Sequence, residues 1–344
     1  MMNDDAVVFS RPQACVDGLA HSHEVRCIEL DFDPGASFMV PVPRSMVTAR
    51  PSRHVPQAPG RPMPLAVFGF PPRLHGPRLS VSTQTLRWEV DPLEWLRWLV
   101  VRQGWRVAEV RRHPGRNGPR CELGALREVD GRVEVRRTMA LRSGARLVRC
   151  DAWSPRKDWP AHHDALWHAL DGFRLGQHRR GSVEPLVAHE GPLLGFAVPG
   201  SWDARGVGDA RRMEWGAQLT ENPQRGAVLR IRARLQDPAA DARERRDSLW
   251  RSLKRDGHRI GAVFDAARPE LAAGVPGWIG QWQAALGTDG RDGVVVLVQR
   301  EHHGIAVDYV LIAPTAGTEH VDWMRATRAL DVAVATSRLG PPAT

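Results

Sequence analysis

The residues whose types and spacing come nearest to chemistry in this sequence are its histidine pairs. His302-His303 sits between two apolar runs, within Glu301 to Gly304, and reads most simply as a polar hairpin turn. His162-His163 stands at the start of a candidate helix beside Asp158 and Asp164. Adjacent helical residues point about 100° apart, so these two do not form a metal pair as i, i+4 histidines do. His21-x-His23-Glu24 has chelating spacing on a strand, but lies in a weakly patterned stretch. Ser201 follows Pro199-Gly200, yet Pro-Gly-Ser-Trp-Asp lacks the G-x-S-x-G elbow that exposes a hydrolase nucleophile. Gly206-Val207-Gly208-Asp209 lacks the strand-to-helix context of a dinucleotide site, and no Walker motif occurs. The sequence therefore predicts no catalytic, cofactor-binding or metal-ligating residues, and no cofactor. Cysteine and carboxylate sites converge only in space and leave no spacing to read.

The elements that must position any site appear twice. Asp91-Pro92, the apolar Leu96 to Val100 and Gly104-Trp105-Arg106-Val107 are echoed by Asp237-Pro238, Leu249 to Leu253 and Gly257-His258-Arg259-Ile260. The two glycines are 153 residues apart (257 − 104), the period of a duplicated domain and not of a solenoid repeat. Pro155 matches Pro314, and Ala169-Leu170-Asp171 matches Ala329-Leu330-Asp331.

In the first copy Leu79 to Thr85 alternates as a strand. Asp91, Pro92 and Glu94 form a capping-box start for a helix that ends at Gly104. Trp105 to Val110, Glu122 to Val129, Arg132 to Leu141 and Arg146 to Trp153 read as strands, with hairpin turns at Asp130-Gly131 and Ser143-Gly144. Ala161 to Gly172 closes the copy as a helix. In the second copy Leu194 to Val198, Met213 to Leu219 and Ala227 to Leu235 are strands, and Asp237-Pro238 opens a helix ending at Gly257. Ile260 to Phe264, Trp278 to Leu286, Val294 to Arg300, Ile305 to Ala313 and a helix over Glu319 to Val334 complete it. The proline-rich Arg50 to Pro64 reads as a loop. The expected layout is a poorly patterned segment over 1–37 with one strand at Val25 to Phe32, a domain over 38–175, a linker over 176–187 and a second domain over 188–340. The fold class is α+β: two tandem similar domains, each a meandering antiparallel sheet with a long helix on one face and a closing helix.

That element order, with Gly195-Phe196-Ala197-Val198-Pro199-Gly200-Ser201-Trp202 as the turn after an opening strand, resembles the PsbP/Mog-like superfamily, here in tandem duplication. Its members include DcrB-type proteins and the Eag-type chaperones of type VI secretion. The resemblance covers about residues 188–335 and, more weakly, 65–175. It implies binding or chaperoning of other proteins without catalysis. The duplication and the basic charge depart from a small acidic chaperone.

Among 344 residues the formal charge is +9, carried almost wholly by arginine, and thirteen tryptophans stand against one tyrosine. Arginines scattered among Asp and Glu, without a polybasic tail, disfavour nucleic acid as the partner. Cys15, Cys27, Cys121 and Cys150 have no paired spacing, so reduced thiols are expected. The acidic start, Met1-Met2-Asn3-Asp4-Asp5, and the lack of an apolar run of membrane-spanning length predict a cytoplasmic protein with no membrane span.

On the helix after Asp91, Leu93, Leu96 and Val100 share the face that should meet the sheet. Trp95 and Trp98 lie on roughly the opposite side, which marks them as a contact with the other domain or with a partner. Their aligned positions in the second copy are Ser248 and Arg251. The leading expectation is a non-enzymatic cytoplasmic protein-binding or chaperone-like protein associated with a bacterial secretion system, its partner another protein such as a secreted effector. An Arg-rich nucleic-acid-associated protein and an enzyme of unrecognised type are the alternatives.

Overall fold

Strand alternation and hairpin turns build this protein. The computed structural model describes residues 9, 21–30, 36–49, 62–71, 76–113, 120–177, 181–206, 213–219, 227–235, 241–266, 269–288, 291–314 and 320–340. The chain divides into two units, residues 1–87 with 92–183, and residues 88–91 with 184–344.

The first unit runs β1 (His23–Ile28), β2 (Phe38–Pro43), β3 (Val47–Ala49), β4 (Met63–Gly69), β5 (Arg78–Thr85), α1 (Pro92–Arg102) and β6 (Arg106–His113). β7 (Arg120–Val129), β8 (Arg132–Ser143), β9 (Arg146–Pro155), α2 (Trp159–Gly172) and β10 (Arg174–Leu175) follow. Its main sheet is antiparallel with the order β3-β4-β5-β9-β8-β7-β6, and β1-β2-β10 form a small sheet. The β7–β8 turn is made by Asp130 and Gly131, at φ 51° and 70°, which is the conformation a two-residue hairpin needs and Asp-Gly readily adopts.

The second unit repeats this order. It runs β11 (Leu186–Glu190), β12 (Leu194–Pro199), β13 (Trp202–Gly206), β14 (Met213–Leu219), β15 (Val228–Leu235), α3 (Ala242–Arg255) and β16 (Arg259–Asp265). A short α4 (Pro269–Gly274) precedes β17 (Trp278–Thr288), β18 (Arg291–His302), β19 (Ile305–Pro314), α5 (His320–Thr336) and β20 (Arg338–Leu339). Its sheet order is β13-β14-β15-β19-β18-β17-β16, with β11-β12-β20 as the small sheet. Strand for strand the pairing is that of the first unit, so the chain is a tandem duplication of one α+β fold.

Each seven-stranded sheet is covered on both faces, and alternation along its strands sorts the two cores. In β18, Val296 and Val298 join Tyr309, Leu330 and Ala333 beneath α5. Val295 and Leu297 point the other way, onto Trp250 and Leu253 of α3. In the first unit Val135, Met139 and Leu141 of β8 face Leu166 and Leu170 of α2, and Phe38 and Val40 of β2 close that core.

Several features depart from the sequence reading. The strand expected at Val25 to Phe32 in the 1–37 segment is present but starts two residues earlier, as His23–Ile28, and pairs with β2 from His23↔Pro43 to Ile28↔Phe38. Its local pattern is weak because only His23 is fully buried. Pro64, placed in the proline-rich loop, lies within β4 beside a register shift at Pro64/Ala66, where a residue without an N–H is tolerated. The remainder of that loop, 50–61, and the Asp237-Pro238 helix start lie outside the described residues. The described α3 begins at Ala242, and the side chain of its N-cap, Asp241, accepts a hydrogen bond from the Arg243 N–H at 3.2 Å. Residues 88–91 pack within the second unit. There the Arg325 guanidinium lies 4.9 Å from the Trp88 ring centre, and Arg328 Nε donates to Glu89 Oε1 at 2.9 Å. Among the described residues no helix is long and apolar enough to cross a membrane.

Candidate protein-binding groove

The two helix-covered faces hold the polar chemistry of this molecule, and they have diverged. In the first unit α1 buries Leu93, Leu96, Leu99 and Val100 against its sheet, and Gly104 at φ 79° ends the helical run. Trp95 is also buried and donates its indole N–H to Gln84 Oε1 of β5 at 3.2 Å. Its ring meets that of Trp98, with centroids 4.7 Å apart at 42°. Trp98 is half-buried, and the exposed Arg102 lies over it, 5.2 Å from the ring centre. The structure thus brings the two tryptophans together. Trp95 is buried with its indole N–H on a polar partner in its own unit, as a buried indole N–H requires, and Trp98 is only half-buried.

Beneath α1 lies a buried ionic network. Arg136 donates to Asp151 Oδ1 through Nε at 3.1 Å and Nη2 at 2.8 Å, and Thr138 Oγ1 donates to the same oxygen at 2.5 Å. Arg149 Nε donates to Ser82 Oγ at 2.7 Å and stands 3.4 Å from Asp151 Oδ2. On the opposite face of the sheet Glu122 accepts from Arg137 Nε at 2.5 Å and lies 2.7 Å from His113 Nε2. Burial pushes both carboxyl pKa values up, but Arg136, Arg149 and Thr138 pull Asp151 below its ordinary value, and Arg137 and His113 do so for Glu122. Carboxylates held this firmly as anions are poor proton donors at neutral pH, so both clusters read as structure.

A pH dependence follows. With both folded pKa values depressed, the stabilisation is complete above the unfolded values of about 3.9 and 4.3 and is lost as pH falls through the folded values. Thermal melts should show a plateau near neutrality and a fall in Tm below about pH 4. Glu122→Gln should flatten part of that acid limb. An acid limb identical in this variant would assign the loss to other groups.

The second unit replaces this network with an open groove. The registers of β9 and β19 are offset by 159 (314 − 155) and those of β5 and β15 by 150 (228 − 78). Ser82 therefore becomes Arg232, Arg149 becomes Asp308 and Asp151 becomes Val310. Leu249, Leu253 and Val310 give the groove an aliphatic floor, and Arg230, Arg232, Asp256, Asp308 and Ser252 form its rim. Ser252 stands where α1 has Leu99, 153 residues earlier, so the second helix lacks the side chain that would fill the space. Asp308 is anchored by Gln299 Nε2 at 2.8 Å and Arg234 Nη2 at 3.1 Å, and Arg230 lies 4.0 Å from Asp256. An aliphatic strip with fixed charges of both signs can seat an apolar side chain and orient the polar backbone or acidic group beside it. The signal was present in Leu229-Arg230-Ile231-Arg232-Ala233-Arg234, a strand whose outer face is wholly arginine.

The other candidates have local duties. His302-His303 lies at a turn, with His303 at φ 51° and Gly304 at 71°. His162 packs on Phe70, His163 Nδ1 sits 2.8 Å from Asp164 Oδ1, and His23 Nε2 lies 3.3 Å from the Ala165 carbonyl. Ser201 N–H donates to Glu184 Oε2 at 2.9 Å, which ties the turn down. Among the described residues no group of three His, Cys, Asp or Glu is placed to hold a metal ion.

No family model and no curated protein matches the chain. Among solved structures it is similar to PsbP from Synechocystis sp. PCC 6803, at 10% identity and TM-score 0.34 over 48% of this chain and 97% of that one. It is also similar to the Ran-binding protein Mog1p of Saccharomyces cerevisiae, at 9% identity and TM-score 0.28 over 45% of this chain and 96% of that one. A third is the T6SS immunity protein TplEi from Pseudomonas aeruginosa, at 14% identity and TM-score 0.26 over 94% of this chain and 98% of that one.

Proposed function

We propose that this chain is a non-enzymatic, cytoplasmic protein-binding protein that holds a segment of another protein in the groove between α3 and strands β15 and β19. The observation that supports this is the groove itself, an aliphatic floor of Leu249, Leu253 and Val310 beneath a rim of both charge signs. A bound segment would set an apolar side chain on that floor and an acidic or carbonyl group toward Arg230 and Arg232. Trp98, half-buried beside Arg102 and braced by Trp95, is a second proposed contact. Exposed Cys27 and buried Cys150 are free thiols, which suits a reducing compartment.

Affinity capture of the tagged full-length chain from its native host, read by mass spectrometry, tests the reading and shows whether the partner is a secreted effector. Ser252→Trp fills the groove from the helix side. It should weaken binding of the captured partner about tenfold or more and leave Tm unchanged. Retention of the partner at full affinity by this variant would remove the groove from the function. A captured nucleic acid whose affinity falls with a log–log salt slope of about −0.9 per phosphate contact would replace the protein-binding reading with the Arg-rich alternative.

A further inference from the structure

The groove of the second unit is bridged from strand to helix by one pair of charges, Arg230 of β15 and Asp256 at the C-cap of α3. They stand 4.0 Å apart, with side chains 51% and 49% exposed, which is beyond hydrogen-bond length. The first unit closes the same place firmly. There Gln103, 153 residues before Asp256 (256 − 103), accepts a hydrogen bond from Arg136 Nη1 at 2.7 Å. Ser80 stands in place of Arg230, 150 residues earlier (230 − 80). An exposed ion pair at such a distance contributes little to stability, so its partners are readily exchanged. Asp256 is also a poorly placed anion, because it lies at the C-terminal end of a helix, where the macrodipole is itself negative.

Asp308, the other carboxylate of the groove, is committed: its side chain is 2% exposed and is held by Arg234 Nη2 at 3.1 Å and Gln299 Nε2 at 2.8 Å. Arg230 differs. Among the described residues it has no hydrogen bond to give up, and it stands half-exposed beside the aliphatic floor of Leu249, Leu253 and Val310. A carboxylate brought to it gains two parallel charge-assisted hydrogen bonds in exchange for one loose contact. The carboxylate that fits is a side chain. A C-terminal carboxylate is ordinarily captured by free backbone N–H groups, but β15 pairs on both sides, with β14 and β19, so its own are used in those ladders. The aliphatic floor beside Arg230 requires that the neighbour of this acidic residue be apolar.

We propose that Arg230 sets the specificity of the groove: it takes the carboxylate of an Asp or Glu that adjoins an apolar residue in the bound segment, and Asp256 is the internal group that this carboxylate displaces. The proposal rests on the groove reading above and narrows the partner to a protein segment with that acidic–apolar pair. The two ends of one ion pair then have opposite effects on binding, whereas a purely structural pair would lose by either change.

Methyl NMR titration of the full-length chain tests it, with the signals of Leu249, Leu253 and Val310 as reporters and decapeptides capped at both ends as probes. Each probe carries Leu, Ile, Val or Phe beside a central Glu, and each has a counterpart with Gln in place of Glu. A Glu peptide should shift these methyls and bind about fivefold more tightly than its Gln counterpart, a preference that shrinks at about 1 M salt. Arg230→Gln should abolish the preference, and Arg230→Lys should keep part of it. Asp256→Asn should tighten the Glu peptide about threefold. It should leave the Gln peptide and Tm unchanged, since a neutral C-cap suits the helix no less well. Glu and Gln peptides that shift the methyls with equal affinity overturn the role of Arg230 and leave the groove reading standing. Methyls that no peptide moves, or shifts that survive Ser252→Trp undiminished, overturn both. An Asp256→Asn chain that binds the Glu peptide no more tightly than the wild type overturns the displacement of Asp256.

Discussion

Replacing Arg137 with Met should cost the first unit about 3–5 kcal/mol of stability, the largest single-site loss expected in this chain outside the hydrophobic residues. The Arg137 side chain is 1% exposed, and Glu122, its partner, is 4% exposed. Arg137 Nε donates to Glu122 Oε1, and its guanidinium lies 5.7 Å from the Trp167 ring centre on α2. Its removal leaves Glu122 with His113 at 2.7 Å and Arg111 at 4.0 Å but without the cation bonded to it, and a buried charge that loses its main partner costs far more than the pair contributes. The double variant Glu122→Leu with Arg137→Met removes both charges and should recover most of the loss. Urea melts read by hydrogen exchange at amides of β7 and β8 measure both, since opening free energies there report this unit and not the whole chain. A loss below about 1 kcal/mol in the single variant would show that water or the neighbouring Arg111 takes the place of the missing cation.

Trp95→Ala should cost about 3–5 kcal/mol, and Trp98→Ala about 1 kcal/mol or less. Both side chains belong to one stacked pair, but their surroundings differ. Trp95 is buried and bonded to Gln84, so truncation opens a cavity and removes that hydrogen bond. Trp98 is half-buried, with Arg102 over its exposed side, and its loss should appear in partner capture more than in melting. Equal, small stability losses for both variants, with capture abolished in both, would instead make the pair a single interface patch.

Much of the fold was legible because its causes are local. Asp130-Gly131 makes a hairpin turn wherever it stands between alternating strands, and Gly104 and Gly257 end their helices by adopting positive φ. The alternation of β7, β8 and β9 sorts their side chains between the two covered faces of the sheet, and the apolar period of α2 fixes the face it buries. The 153-residue echo between the glycines reports duplication without any knowledge of contacts. The sequence by itself therefore determined the fold class, the repeat and most element positions.

Only the tertiary structure decided what the charges do. Arg136, Arg137 and Arg149 resemble any other arginine in an Arg-rich chain; their burial depends on carboxylates at Glu122 and Asp151 brought alongside by strand pairing, and no local pattern encodes that neutralisation. The strand expected from Val25 starts at His23 because β2 supplies its hydrogen bonds from there to Ile28, which its own weak alternation does not mark. The groove exists because Ser252 replaces Leu99 at one helix position and the charged positions of β15 and β19 are exchanged relative to the first unit. Periodicity tells a residue which way to face. What it faces is set by pairing between distant segments, and that is where the sites of this protein are made.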